Sequence, residues 1–156
     1  LRWKITNQAD LSKCQYLNGD LYSLLKNDYQ FRESLAPPEV PNDLLINYNP
    51  AYLESILYNM ISNAIRYSHP ERKTIIDLKW ITKKDKKILQ ISDNGIGIDL
   101  VKNGNKIFGM YKTFSNYPDS KGVGLFITKN QIEAMGGTIK VESELNVGTT
   151  FKIEII

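Results

Sequence analysis

An amphipathic helix is predicted between two prolines in the first half of this chain. The stretch NPAYLESILYNMISNAIRYSHP has Pro50 at a first helical position after Asn49 and predicts a helix that ends at the residue before Pro70. Its apolar side chains fall on one stripe at 100° per residue, namely Leu53, Ile56, Leu57, Met60, Ile61 and Ala64. Such a stripe must be buried against a second layer of structure.

Alternating segments of the chain can supply that layer. Apolar and polar residues alternate in TIIDLKWI, ILQIS, TIKVESE and TTFKIEI, with KKDKK as a solvated hairpin turn and another turn at Asn146 to Gly148. VGLFITKNQIEAM predicts a helix closed by Gly136 and Gly137. Leu17, Leu21, Leu24 and Leu25 suggest a further helix within residues 1–48. We therefore expect a two-layer α/β sandwich, with a mixed, mostly antiparallel sheet covered on one face by about three helices.

Residues 99–121 have little periodicity apart from a short helix predicted near Leu100 to Phe108. Connections of this length in compact domains tend to be functional lids or disordered segments.

Composition excludes several classes of protein. The 156 residues, 42% of them hydrophobic, fit one domain with a real core. A net charge of +3, with scattered basic residues, argues against nucleic-acid binding. A single cysteine excludes an internal disulfide and any multi-cysteine zinc site. No stretch is long and apolar enough to span a bilayer.

The segment LQISDNGIGI turns polar where a strand would continue inward. Because side chains of a strand alternate between the two faces of a sheet, Asp93 should lie on the buried face with Leu89 and Ile91. One interpretation is an Asx-type turn with the following glycines. The other is a pocket floor, where Asp93 accepts a hydrogen bond from a ligand amine and Gly95 and Gly97 let the backbone approach a flat ligand.

Asn59, Asn63 and Arg66 line the edge of the apolar helix stripe. They are either solvent-exposed polar residues or a rim aimed at a ligand. In the second case Asn63 could offer its carbonyl oxygen to Mg²⁺, and Arg66 could neutralise phosphate oxygens.

Two further features could belong to the same pocket. Gly122 and Gly124 sit at a helix start, which is either an ordinary junction or an anion site. Thr149 shares strand parity with Phe151, so its hydroxyl should point inward.

In this order the motifs resemble the ATP-binding catalytic domain of sensor histidine kinases, in the superfamily of DNA gyrase, MutL and the ninety-kilodalton heat-shock chaperone. YNMISNAIRYS is similar to the N box, DNGIGI to the first glycine box and IFGMYKTF to the F box. KGVGLFITKNQIEAMGG is similar to the second glycine box, and VGTTFKI to the terminal strand motif. The resemblance runs from about residue 12 to the end.

The resemblance implies a site for ATP and Mg²⁺. Asp93 matches the aspartate that binds the adenine amino group, Asn63 matches the Mg²⁺ ligand, and Asn59 takes the supporting position one turn earlier. Arg66 falls where the family usually has Lys. The full set implied for ATP is Asn63, Arg66, Tyr67, Asp93, Gly95, Gly97, Ile98, Phe108, Lys121, Gly122, Val123, Gly124, Leu125 and Thr149, with Asn59, Asn63 and Arg66 as the catalytic residues. Ser120 stands where the family often has an additional glycine.

Position 59 separates the subfamilies. The gyrase, MutL and anti-sigma branches have a Glu there, whereas Asn59 cannot take up a proton at neutral pH. The resemblance therefore implies transfer of the ATP γ-phosphoryl group to a histidine. A stand-alone serine kinase of the anti-sigma type and a non-catalytic nucleotide-binding module are the alternatives.

The only histidine, His69, lacks the surroundings of a phosphoacceptor. We expect residues 1–11 to be a linker or the tail of a missing dimerisation and phosphoacceptor domain, and residues 12–156 to be the catalytic domain. The fragment should be a cytoplasmic monomer that binds ATP. Its parent should be a homodimer that passes phosphoryl groups to a response regulator, and a membrane anchor elsewhere in the parent is compatible with the sequence.

Overall fold

A computed structural model of the chain describes residues 48–104, 106–110 and 122–156. The helix predicted around Leu17 to Leu25, the boundary at residue 11 and most of the long connection lie outside these ranges. None of the helices in the described ranges is long and apolar enough to cross a membrane.

The first helix, α1 (Pro50–Arg66), forms as its sequence predicts. The side chain of Asn49 caps its N-terminus by accepting hydrogen bonds from the backbone N–H groups of Ala51 and Tyr52, at 3.0 and 3.3 Å. Pro50 occupies the first turn, where its missing N–H costs nothing. The helix and its start at Pro50 are confirmed. Its last residue is Arg66, with Tyr67 as the C-cap, so it ends three residues earlier than the predicted His69.

Four strands form the second layer: β1 (Ile76–Lys83), β2 (Lys86–Asp93), β3 (Thr138–Glu144) and β4 (Gly148–Ile155). Their order in the sheet is β1-β2-β4-β3, and every described pairing is antiparallel. The expectation of a mostly antiparallel sheet is confirmed, whereas the parallel component of a mixed sheet is not found among the described strands. Two of the pairings are hairpins with short turns, which enforce antiparallel geometry. Lys84 and Asn146 adopt positive φ in these turns.

The core lies between α1 and one face of the sheet. The apolar stripe of α1 is buried against inward side chains of the strands, namely Ile76, Leu89, Ile91, Phe151, Ile153 and Ile155. The opposite face carries charged pairs such as Lys152 with Glu142 and Lys86 with Glu154. The predicted strand parity is therefore correct, and it directs Asp93 and Thr149 towards the helical layer.

Two more helices complete the described part. A single turn, α2 (Leu100–Asn103), begins at Asp99, whose side chain accepts from the N–H of Lys102 at 3.1 Å. The third helix, α3 (Gly124–Ala134), adds the fully buried Ile132 to the core. It ends at Gly136, which has a φ of +78° and donates to the carbonyl of Glu133. The predicted left-handed cap is confirmed.

Candidate functional site

Asp93 is the C-terminal residue of β2 and lies between Ile76 of β1 and Thr149 of β4. Its Oδ1 accepts a hydrogen bond from the backbone N–H of Gly95 at 2.8 Å. Burial raises the pKa of the Asp93 carboxyl, and hydrogen bonds from the backbone N–H groups of Gly95 and Thr149 partly oppose this rise. The Asx-type turn is therefore present. A carboxylate has about four acceptor positions, so it can still receive a ligand donor.

The glycine turn after Asp93 docks on the end of α1. The N–H of Ile96 donates to the carbonyl of Tyr67 at 2.9 Å. A Cβ at Gly95 would lie 2.4 Å from that carbonyl oxygen, and a Cβ at Gly97 would lie 2.0 Å from the carbonyl oxygen of Glu144. Gly97 also has a φ of +73°. Only glycine fits at either position, because both close contacts are with backbone.

Two side chains hold this turn from the side of β1. The amide of Asn94 accepts from the N–H of Ile75 at 2.8 Å and donates to the carbonyl of Lys73 at 2.9 Å. The guanidinium of Arg72 donates to the carbonyls of Asn94 and Gly95 at 2.8 and 2.9 Å. Neither residue was predicted to belong to the site.

Thr149 is 6% exposed and points inward as its parity predicts. Its hydroxyl lies 2.8 Å from that of Ser143, which in turn donates to the carbonyl of Gly148 at 2.8 Å. Ser143 has a single proton, so Thr149 is the donor between the two hydroxyls. Ser143 also accepts from the N–H of Ile98 at 2.8 Å. This serine therefore joins the glycine turn to β4.

The polar edge of α1 faces the start of α3. The Asn59 amide donates to the carbonyl of Gly124 at 3.4 Å and to the hydroxyl of Thr128 at 3.2 Å. Thr128 is 0% exposed, so the Asn59 side chain is used to hold α3 against α1. The interpretation of Asn59 as a solvent-exposed polar residue is therefore wrong.

Asn63 and Arg66 follow Asn59 along the same helix. Asn63 is half-buried, and its side chain has no hydrogen-bond partner among residues 48–104, 106–110 and 122–156. Arg66 is exposed, and Tyr67 is half-buried at the helix end. At 1.5 Å per residue, the helix runs about 12 Å from Asn59 to Tyr67. One helix thus connects the start of α3 with the glycine turn.

Among the described residues, no side chain caps the start of α3. Val123 occupies the capping position without a side-chain hydrogen bond, and the first turn contains no acidic residue. The first N–H groups of a helix without such a cap can bind an anion. Gly122 precedes it with a φ of +65°. Lys121, Ser120 and Phe114, the last residue of the F-box motif IFGMYKTF, lie outside the described residues.

Two hydrophobic residues implied for ATP pack mainly on the protein itself. Phe108 and Leu125 are partly buried against the core. The ammonium of Lys129 lies 5.9 Å from the centre of the Phe108 ring, which ties the segment after α2 to α3. His69 is half-buried, and its Nδ1 accepts from the N–H of Glu71 at 3.2 Å.

Some of the supporting residues could have been found in the sequence. Ser143 shares strand parity with Ile139 and Val141, so the argument used for Thr149 applies to it equally. Arg72 gives no such signal, because it lies in a loop and its acceptors are backbone carbonyls.

Comparison with known proteins places this geometry in a family. The model of the family described as histidine kinase-, DNA gyrase B-, and HSP90-like ATPase matches residues 48–156. The signal transduction histidine-protein kinase ArlS of Staphylococcus aureus is 36% identical over 134 residues, or 83% of this chain. The chain spans 28% of the length of ArlS.

Solved structures show the same fold. The mycobacterial sensor histidine kinase MprB superposes with a TM-score of 0.70 at 19% identity, covering 90% of this chain and 93% of that chain. The catalytic domain of histidine kinase ThkA gives 0.68 at 22% identity, covering 87% and 88%. Together with the family match and the similarity to ArlS, the fold and its motifs show that the chain belongs to the histidine kinase-, DNA gyrase B- and HSP90-like ATPases.

Proposed function

We propose that this chain is the ATP-binding catalytic domain of a two-component sensor histidine kinase, which transfers the γ-phosphoryl group of Mg-ATP to a histidine on a separate helical domain. The observation that carries the proposal is the placement of α1. Its C-terminal end contacts the glycine turn beside the half-buried Asp93, and its middle contacts the uncapped start of α3. An adenine at one end and phosphates at the other fit this arrangement.

The base end of the site is suited to an amino group. Asp93 is an acceptor in its ionised form, and the glycines leave backbone rather than side chains next to it. Thr149 and Ile98 border the same region through Ser143. A flat heterocycle with an exocyclic amine satisfies the carboxylate that burial otherwise disfavours.

The phosphate end is suited to anions. The uncapped N–H groups after Gly122 carry the positive end of the α3 dipole. Arg66 is exposed at the C-terminal end of α1, and we propose that its long side chain extends from there to add a full charge near the phosphates. Among the described residues no group of three or more His, Cys, Asp or Glu side chains comes together. Asn63 would therefore hold Mg²⁺ with one amide oxygen, the other ligands being phosphate and water oxygens, as Mg²⁺ prefers. The ion would supply charge neutralisation at the phosphates.

The residues favour transfer to a histidine over hydrolysis. In the transfer, the bond from the γ-phosphorus to its bridging oxygen breaks, ADP leaves, a phosphorus–nitrogen bond forms and the imidazole loses a proton. A neutral imidazole is nucleophilic without a base. Asn59 cannot serve as a base for water, and its amide already holds α3. We further propose that the acceptor domain, a dimeric parent and a response regulator complete the system, with this domain in the cytoplasm.

Calorimetric titration of the purified chain with a non-hydrolysable ATP analogue, with and without Mg²⁺, tests the proposal. Asp93→Ala should weaken binding about 10- to 100-fold, because a charged hydrogen bond contributes about 1.5–3 kcal/mol. Asn63→Ala should remove the enhancement by Mg²⁺. Asn130→Ala, on an exposed face of α3, is the control and should bind as wild type. Binding that neither site substitution affects would contradict the assignment.

A further inference from the structure

Arg72 lies in the loop between α1 and β1 and joins two turns that are remote in sequence. Its Nε donates to the carbonyl of Asn94, and its Nη2 donates to the carbonyls of Gly95, Asn146 and Val147. The first two carbonyls belong to the glycine turn, and the other two to the turn between β3 and β4. One planar guanidinium thus holds both turns, which a point charge could not do.

The Asn94–Gly95 peptide connects Arg72 to Asp93. Its carbonyl oxygen accepts from Arg72 Nε at 2.8 Å, and its N–H donates to Asp93 Oδ1, also at 2.8 Å. A peptide unit is planar, so hydrogen bonds at both its oxygen and its N–H fix its orientation. The direction from which the N–H meets the carboxylate therefore depends on Arg72.

The turn between β3 and β4 is held on both sides of Asn146. The N–H of Asn146 donates to the carbonyl of Ile96 at 2.8 Å, while the carbonyl of Asn146 accepts from Arg72. Asn146 has a φ of 61°, so this turn needs its contacts to stay in place. Arg72 is exposed, however, and water can replace its hydrogen bonds to the carbonyls. Loss of Arg72 should therefore disturb the orientation of Asp93 more than it disturbs folding.

We propose that Arg72 is a positioning residue that orients Asp93 towards the amino group of the base and thereby sets the preference of the site for adenine. This inference rests on the proposed function. The oriented carboxylate accepts a hydrogen bond from the 6-amino group of adenine, whereas hypoxanthine presents an acceptor oxygen at that position. A site built to pair with one group rejects an analogue that leaves its buried acceptor unpaired.

The test is the ratio of affinities for ADP and IDP, measured by calorimetry with Mg²⁺ on the full chain. Wild type should prefer ADP, and Arg72→Gln should reduce that preference about tenfold, mainly by lowering the affinity for ADP. Arg72→Lys keeps the charge but cannot hold both turns, so it should also lose most of the preference. Lys83→Gln removes the same charge from the exposed end of β1 and should keep the wild-type ratio.

The outcomes separate this inference from the proposed function. If both Arg72 variants keep the wild-type ratio, or if both affinities fall equally, Arg72 has no role in base selection. Circular dichroism checks folding, and if Arg72→Gln is unfolded, the Lys variant decides. Equal binding of ADP and IDP by wild type would overturn the inference but not nucleotide binding. Binding of neither nucleotide would overturn both.

Discussion

Asp93 is under two opposing demands. Recognition of an amino group needs the ionised carboxylate, whereas burial disfavours that form and raises the pKa. Hydrogen bonds from the backbone N–H groups of Gly95 and Thr149 offset part of this penalty. Functional sites commonly keep such residues at the expense of stability.

Replacement of Asp93 by Asn should therefore stabilise the empty domain while weakening nucleotide binding. The folded pKa lies above the ordinary value of 3.8, so the native state holds its proton longer than the unfolded chain does. The free energy of unfolding of wild type consequently falls as pH rises from 3.8 through the folded pKa. Asn has no such titration, so the advantage of Asp93→Asn should grow over that window and stay constant above it.

Urea titrations of both proteins between pH 3 and pH 8 (roughly the range that spans carboxyl titration) measure this difference. Asp85→Asn, in the exposed hairpin turn, is the matched control. An advantage that shrinks with rising pH would mean that Asp93 is stabilised as a carboxylate.

At the level of elements, the two long helices differ in their N-termini. Helix α1 has a full side-chain cap from Asn49, whereas α3 begins at Val123 without one. A capped helix start has satisfied its first donors and an uncapped one has not. The difference matches their places in the proposed site, since only α3 is expected to meet phosphate.

Asn49→Ala should lower the free energy of unfolding by about 1 kcal/mol, because two N–H groups lose their acceptor. Asn49→Ser keeps an acceptor and should cost only about a few tenths of a kcal/mol. Guanidinium titrations of the two variants measure the effect. Equal losses in both would show that the cap contributes through packing rather than through its hydrogen bonds.

Elements with strong local signals were predictable from sequence. The helix between prolines, the alternating strands and the glycine cap of α3 follow from periodicity and backbone preferences. The strand parity also placed Asp93 and Thr149 correctly. The contacts of Asn59 with Gly124 and Thr128 were not predictable, because they join residues 65 and 69 positions apart. Arg72 was missed for the same reason, since its acceptors are set by tertiary packing.

On the scale of the described domain, a helical layer packs on one face of the sheet, and α3 contributes to it through Ile132. That side chain is 0% exposed, whereas Ile127 on the same helix is 41% exposed. The two isoleucines therefore offer a direct comparison of the core with the surface.

Ile132→Ala should lower the free energy of unfolding by about 2–5 kcal/mol, through lost burial and the cavity left behind. Ile127→Ala should change it by about 0.5 kcal/mol or less. Denaturant titrations measure both free-energy changes, provided that the m-value is the same for the variants and wild type. Similar losses of unfolding free energy in the two variants would mean that α3 does not pack on the sheet with Ile132 inward and Ile127 outward.

The order of strands has a consequence for synthesis on the ribosome. Strand β4 lies between β2 and β3 although it is the last described strand to be made. Until Gly148–Ile155 emerges, β2 lacks its second partner in the described sheet and β3 lacks the strand with which it pairs. Asp93 then lacks Thr149, its partner across the sheet. A nascent chain interrupted before β4 would thus expose the apolar faces of α1 and the hairpin, a state open to chaperones and aggregation.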